Sequence, residues 1–340
     1  SELSRQIVRA LAAADGGEVW ALAGGPAADG AAAFWTAAGS RARFVSRAVL
    51  RAMTTLDGWT VVITHVHLAP LARPLAARGA RVVIVLVGVE SWRPRRARER
   101  RALERADRVI AISAHTARRF REANPGVRLS SDIDVCLLGA GPAPTASPSL
   151  VDGGFALIVG RMWAEERYKG HDRLIEIWPD VRARVPGARL VVVGEGDDRS
   201  RLEARAAEAG VAGAITFVGR VDDAELAGLY RACAFFVMPS PNEGFGLAFV
   251  EAMRAGKPCI AVHGSADEII RDGIDGFVLE PDAALLRDAV VRLFSNDDER
   301  ARMGAAARAR AEDMFTEQRF ADRLRAAVSP DRPVPAGLAS

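Results

Sequence analysis

From Phe155 onward, short apolar runs alternate with amphipathic stretches. FALIVG, RLVVVG, ITFVG, AFFVMPS, CIAVHG and GFVLEP are separated by segments whose apolar residues recur at helical spacing. Strands buried on both faces read as unbroken apolar runs, so the alternation predicts a parallel sheet wound by helices. Upstream, the same alternation runs through EVWALAG, WTVVITHVH, RVVIVLVGVE, DRVIAIS and IDVCLLG, which predicts a second sheet of that kind. Between the two sets lies GAGPAPTASPSLVDGG, Gly139 to Gly154, whose Pro, Gly, Ala and Ser content reads as a linker.

The expected architecture is α/β, with two Rossmann-like doubly wound domains facing a cleft. Residues 1–150 form the N-terminal domain, 151–315 the C-terminal domain, and 316–330 a last helix that crosses back to the first. Ligands of open parallel sheets bind beyond the carboxyl ends of the strands, so the chemistry is sought there. The start departs from this plan. LSRQIVRALAAA is an amphipathic helix with Leu3, Ile7, Val8 and Leu11 on one side, and it precedes EVWALAG. Doubly wound domains open with a strand and a tight loop, and that first strand is expected to be missing from the chain as given.

Composition narrows the class. The chain has 340 residues, 49% hydrophobic and 26% charged, an ordinary globular balance with ample material for two cores. No uninterrupted apolar run reaches the roughly 18–20 residues that span a bilayer, and SELSRQ is no secretory leader. A cytoplasmic location is expected. The three cysteines, Cys136, Cys233 and Cys259, form no CxxC and read as small core residues. Charge is uneven: residues 1–150 hold 21 arginines against 12 carboxylates, whereas the remainder holds 25 basic and 31 acidic side chains. Lys169 and Lys257 are the two lysines in the whole chain, which singles them out.

The candidate chemistry sits in two stretches of the second half. In PSPNEGFGLAFVEAMRAGKPC a strand ends, the chain turns through Glu243, Gly244, Phe245 and Gly246, and a helix is expected from about Leu247 to Arg254, carrying Glu251. Glycines let backbone N–H groups approach a ligand, and those groups with the helix dipole favour phosphate oxygens. Carboxylates are poor phosphate ligands but good acceptors for sugar hydroxyls. Two of them bracketing an anion site suit a molecule with a hydroxylated ring at each end and a diphosphate between, which is a nucleotide sugar. In IVGRMWAEERYKGHDRLIE a strand ends at Gly160, Arg161 stands at its carboxyl end, and Lys169 precedes the next helix. Two cations there would neutralise the charge that grows on a departing diphosphate.

At these residues the chain resembles the donor domain of the retaining glycosyltransferases of family 4, which have the GT-B fold. The resemblance runs from ALIVGRM through RYKGHD, LVVVGEGDD, ITFVGRVDDAELAGLYRAC and FFVMPSPNEGFGLAFVEAMRAGKPCIA to DGIDGFVLEP. It implies transfer of a hexose-type unit from a UDP- or GDP-linked donor to a hydroxyl acceptor, with retention and without a metal or other cofactor. It implies that Glu243 holds donor-sugar hydroxyls, that the N–H groups of Phe245, Gly246 and Leu247 hold the diphosphate, and that Glu251 holds the ribose. Arg161 and Lys169 match the basic pair that stabilises the leaving diphosphate, so Arg161, Lys169 and Glu243 are the expected catalytic residues. Gly160 and Gly244 belong to the same donor loops, and Gly219, Arg220 and Val221 would meet the base through backbone.

The first half matches more weakly, through VGVESW and ADRVIAISAHTARRF. Many members of the family carry His-Gly-x-Glu in the acceptor-domain loop; here the residues are Val87, Gly88, Val89 and Glu90. With His65 of THVHLAP, Val87, Gly88 and Glu90 are the candidate acceptor residues; His65 and His67 also read as structural groups at a strand end.

Other signals are weighed against plain readings. DID, Asp132 to Asp134, looks like a metal triplet but stands alone, so no metal is expected. Gly194-Glu195-Gly196 lacks the third glycine of a dinucleotide fingerprint. Arg93 to Arg105, RPRRARERRALER, is either a solvated helix or a surface for an anionic or lipid-linked acceptor, with peripheral contact at the inner face of the membrane. No aromatics interleave with these arginines, which argues against nucleic acid. Two rival readings remain open: a noncatalytic nucleotide-sugar-binding protein with a degenerate acceptor site, and a glycoside hydrolase using Glu243 and Glu251. The second leaves the anion site without purpose.

Overall fold

The apolar runs of the first half become strands in the computed structural model, which describes residues 6–11, 18–21, 33–37, 39–51, 53–141 and 144–329. Leu3, residues 22–24 of the first predicted strand, linker residues 142–143 and Pro330 lie outside the described residues. Contacts divide the chain into two units, Ser1–Gly139 with Glu317–Ser340, and Ala140–Thr316. The division falls at 139/140, so residues 140–150, expected in the first domain, go with the second unit.

The first unit begins with helical residues 6–11 (α1), followed by β1 (Glu18–Ala21), β2 (Ala33–Thr36) and α2 (Arg41–Arg51). β1 and β2 pair in parallel as a sheet of their own. The second sheet takes β3 (Thr60–Ile63), β4 (Arg81–Leu86), β5 (Arg108–Ala111) and β6 (Asp134–Val135), parallel and in that order, with α3 (Ala72–Ala76), α4 (Ala97–Leu103) and α5 (Ala114–Ala123) between them. Val82, Ile84, Leu86, Leu103, Val109 and Phe120 share its core.

The second unit holds one six-stranded sheet. Its strands are β7 (Ala156–Val159), β8 (Leu190–Val193), β9 (Ile215–Gly219), β10 (Phe235–Met238), β11 (Cys259–Val262) and β12 (Gly276–Leu279), every pairing being parallel. The helices are α6 (His171–Arg184), α7 (Arg199–Glu208), α8 (Asp223–Ala232), α9 (Leu247–Arg254), α10 (Ala283–Ser295) and α11 (Asp297–Met314). Strand order is β12-β11-β10-β7-β8-β9, in which the winding reverses between β7 and β10. The crevice at such a reversal, outside the carboxyl ends of the strands, is where ligands of these sheets bind. All four residues of β8, β10 and β11 are buried, as expected of strands covered on both faces. Burial of Phe235 and Phe236 contributes about 1.5–3 kcal/mol each. Phe236 meets Phe249 of α9 edge-on at 5.4 Å and Tyr230 of α8 at 6.0 Å, which fixes both helices against β10.

Residues expected to act as a linker are tied down. Ser147 N–H donates to Ala224 O at 3.0 Å, and a Cβ on Gly228 would stand 2.4 Å from Ser147 O, so this segment packs directly on α8. In the first unit, α12 (Glu317–Val328) packs beside α1, where Arg325 Nε donates to Ala10 O at 2.8 Å and Arg9 pairs with Glu317. All three cysteines are buried and none is in a disulfide.

Candidate functional site

The carboxyl ends of β7 and β10 bring the two candidate stretches together. After β7 the chain passes through Gly160 and Arg161, and the next turns lead to Lys169 and Gly170, ahead of α6. After β10 it passes through Pro239 and Ser240 to Glu243 and the glycine loop, then into α9. Gly170 has φ of 90° and a Cβ there would stand 2.6 Å from Pro239 Cγ, so a glycine is required where the two loops meet.

Lys169 and Glu243, far apart in sequence, touch. Lys169 Nζ lies 2.5 Å from Glu243 Oε1, and both side chains are largely buried. Ser240 Oγ donates to the same Glu243 oxygen at 3.0 Å. Arg161 is more open, with its side chain 66% exposed and Nη2 2.5 Å from Glu166 Oε1. One cation of the expected pair is thus set into the loop junction and the other reaches toward solvent.

Gly246 caps α9 with φ of 104°, in the left-handed region, and a Cβ would meet Phe249 Cδ2 at 2.7 Å. As a glycine, Gly246 brings no side chain to cap the first N–H groups of α9. Phe245 is buried, and its carbonyl accepts a hydrogen bond from Ser265 Oγ at 2.9 Å, which fixes the loop from behind. Gly244 and Leu247 flank it. Glu251 lies about one turn further along α9, and Tyr230 Oη donates to Glu251 Oε2 at 2.9 Å. Burial first, and then the Glu251 charge, push the Tyr230 phenol well above its ordinary range, so it remains a donor.

Close backbone packing joins the remaining strand ends. Gly194 has φ of 140° and a Cβ on it would stand 2.1 Å from Gly160 O. Its N–H donates to Gly219 O at 2.9 Å. Arg220 is exposed and Val221 half-buried as the chain leaves β9 for α8, whose first turn is closed by a reciprocal Asp222–Glu225 cap.

A charged anchor holds the loop that carries the cations. Asp198 receives Arg167 Nε and Nη2 at 3.1 and 2.9 Å and Arg201 Nε and Nη2 at 2.7 and 2.5 Å. Arg201 also makes two 2.8 Å bonds to Asp172. Hydrogen bonding from Arg201, then from Arg167, holds the Asp198 carboxyl well below the usual carboxylate range. We expect Asp198→Asn to cost about 1–3 kcal/mol of stability at neutral pH. Because the folded pKa lies below the ordinary 3.8, the contribution is complete above that value and lost as pH falls through the folded one. Urea titrations of wild type and variant should therefore diverge at pH 7 and converge in acid; a gap independent of pH would exclude the ionic anchor.

The candidate acceptor residues lie in the other unit. Val87, Gly88 and Glu90 form the turn that leaves β4, where Ser91 N–H and Oγ both donate to Gly88 O, at 2.7 and 2.6 Å. His65 is exposed at the end of β3, its Nδ1 accepting from His67 N–H at 3.4 Å, a local turn contact. His67 Nδ1 lies 3.0 Å from Glu99 Oε1. Glu99 and Arg95 turn inward from the arginine-rich segment, while Arg93, Arg96, Arg98, Arg100, Arg101 and Arg105 stay exposed. Asp132 pairs with Arg121 at 3.2 Å, and Asp134 lies 4.0 Å from Arg108.

Ser240, Tyr230, Glu166 and Asp198 were not found from the sequence. AELAGLYRAC and GEGDD carried Tyr230 and Asp198 only as parts of a strand-helix pattern, since partners 21 and 31 positions away leave no local spacing.

Residues 147–310 match the family model described as "Glycosyl transferases group 1". A phosphatidyl-myo-inositol mannosyltransferase of Mycobacterium leprae is 34% identical over 202 residues, 58% of this chain and 52% of that protein. A GDP-mannose-dependent alpha-(1-6)-phosphatidylinositol monomannoside mannosyltransferase of Mycolicibacterium smegmatis is 30% identical over 262 residues, 71% of this chain and 67% of that protein. The match to the first of these thus spans about half of that relative's length. Among solved structures, sucrose-phosphate synthase from Thermosynechococcus elongatus superposes with a TM-score of 0.75 at 21% identity, covering 95% of this chain and 91% of that one. Anabaena HepE in complex with UDP and glucose gives a TM-score of 0.75 at 19% identity, covering 94% of this chain and 93% of that one. These likenesses assign the GT-B fold.

Proposed function

The chain belongs to the glycosyl transferases group 1 family, and on that premise we propose that it is a metal-independent retaining glycosyltransferase using a nucleotide-diphosphate sugar. The observation that carries this reading is the junction at the strand reversal. There a largely buried lysine, a carboxylate and a helix terminus with glycine at its N-cap stand together at the carboxyl ends of β7 and β10. The amino end of α9, through the N–H groups of Phe245, Gly246 and Leu247, would hold the diphosphate. Glu243 would accept from hydroxyls of the transferred hexose, and Glu251, oriented by Tyr230, from the ribose. Gly219, Arg220 and Val221 would border the base. Arg161 and Lys169 would meet the charge that accumulates as the glycosidic bond breaks. Most of the rate would come from positioning and from fixed charge at the leaving group.

The names of the relatives favour GDP-mannose as donor and phosphatidylinositol or its monomannoside as acceptor. The six exposed arginines between Arg93 and Arg105 would favour an acidic leaflet, and so peripheral work at the inner face of the membrane. No described helix is long and apolar enough to cross one. Val87, Gly88, Glu90 and His65 remain the proposed acceptor-side residues.

Melting shifts with GDP-mannose, UDP-glucose and ADP-glucose test the donor site, since a ligand that binds only the folded state raises Tm. A shift with none of them would sink the reading, and a shift without transfer or donor hydrolysis would favour a noncatalytic binding protein. Turnover is expected to survive EDTA and Asp132→Ala. A rate abolished by EDTA and restored by manganese or magnesium would overturn the metal-free mechanism.

A further inference from the structure

His171, the first residue of α6, is 4% exposed, and its Nε2 has no hydrogen-bond partner among the described residues. A buried polar atom without a partner costs free energy, and an acceptor placed beside it would recover that cost. The imidazole stands against Gly160. A Cβ built there would lie 3.6 Å from His171 Cε1, 3.8 Å from Lys169 Cδ and 3.9 Å from His171 Nε2, so the hydrogen of Gly160 leaves room beside the ring that a methyl group would take. Gly160 is not among the positive-φ glycines, and an alanine would make only ordinary contacts, so neither backbone nor packing demands glycine here. What glycine supplies is the niche itself. α6 runs for 14 residues, and its amino end, behind left-handed Gly170, is not capped by a side chain.

We propose that His171 is a further phosphate-contacting residue of the donor site: a diphosphate oxygen enters the niche over Gly160, His171 Nε2–H donates to it, and the imidazole takes up a proton. The proposal rests on the donor reading above. The charged groups facing the ring are Lys169 before the helix, Asp172 on it, and Asp198 from the loop ahead of α7. Burial pushes the free imidazole down to about 4, with Lys169 adding to the fall and Asp172 and Asp198 opposing it. It is therefore neutral near pH 6 until a multiply charged anion arrives, which favours the protonated form. A cation formed only when the diphosphate is present adds to Lys169 without repelling it in the empty site.

The test is calorimetric titration of GDP and UDP into wild type, His171→Gln and Gly160→Ala at pH 6 and pH 8, in two buffers of different ionisation enthalpy. At pH 6 the wild type should take up more protons than His171→Gln, and should bind about tenfold more tightly. Both differences should shrink at pH 8. Gly160→Ala, which fills the niche without strain, should keep the wild-type Tm yet lose affinity and proton uptake to a similar degree. Equal proton balance and equal affinity in wild type and both variants would overturn the role of His171 while leaving the donor site standing. Failure of the wild type to bind either nucleotide would overturn the donor reading instead.

Discussion

Replacing Lys169 by alanine is expected to lower kcat by on the order of 10²-fold or more, with a smaller change in donor affinity. A group that acts on the leaving diphosphate is worth more in the transition state than in the ground state, because charge accumulates there as the glycosidic bond breaks. Lys169 is placed for such a difference. Its side chain is 14% exposed, so its field is screened less than that of Arg161, whose side chain is 66% exposed. Arg161→Ala should accordingly cost less than Lys169→Ala. Lys169→Arg should recover only part of the rate, since a planar fork does not fill the place of a point charge. The measurement is single-turnover transfer beside donor binding, with donor hydrolysis standing in until an acceptor is known. A Lys169→Ala protein that turns over within about twofold of wild type would remove this residue from the mechanism.

Much of this arrangement was legible because the second unit is built from strands buried on both faces, which write themselves as unbroken apolar runs. AFFVMPS became β10, CIAVHG became β11, and the helix expected from Leu247 to Arg254 has those bounds. The first half was harder to read. β2, Ala33–Thr36, lies within AAAFWTAAG, a short stretch rich in alanine and without apolar–polar alternation, and no strand was expected there. Composition also did not reveal the packing of residues 144–149. Pro, Ser and Ala look like a free tether, yet Gly228 opens α8 to direct contact with Ser147. Within the site, sequence spacing gave the residue types but not their pairing. The Lys169–Glu243 contact joins two loops through the strand reversal, and only the sheet order makes them neighbours. Tyr230 was not singled out in the sequence, and its hydroxyl became visible only as the group that orients Glu251.

That contact changes what a Glu243 variant should do. Without ligand, the Glu243 carboxylate shares one oxygen between Lys169 Nζ at 2.5 Å and Ser240 Oγ at 3.0 Å. Glu243→Gln keeps the shape and an oxygen for Ser240, but removes the charge that competes with phosphate for Lys169. Nucleoside diphosphate should then bind about threefold more tightly, the scale of one partly exposed ion pair. The intact donor should move the other way. A carboxylate holding sugar hydroxyls is a charged acceptor, and its loss should cost donor binding about tenfold. Glu251→Ala separates the two sites, because the ribose is common to both ligands and their affinities should fall together. Titrating wild type, Glu243→Gln and Glu251→Ala with GDP and with GDP-mannose, or with whichever pair the melting screen selects, reads these signs directly. Opposite signs for the two ligands in Glu243→Gln would establish that donor arrival exchanges Lys169 from carboxylate to phosphate. Equal losses for both ligands in both variants would end the division of labour between the two glutamates.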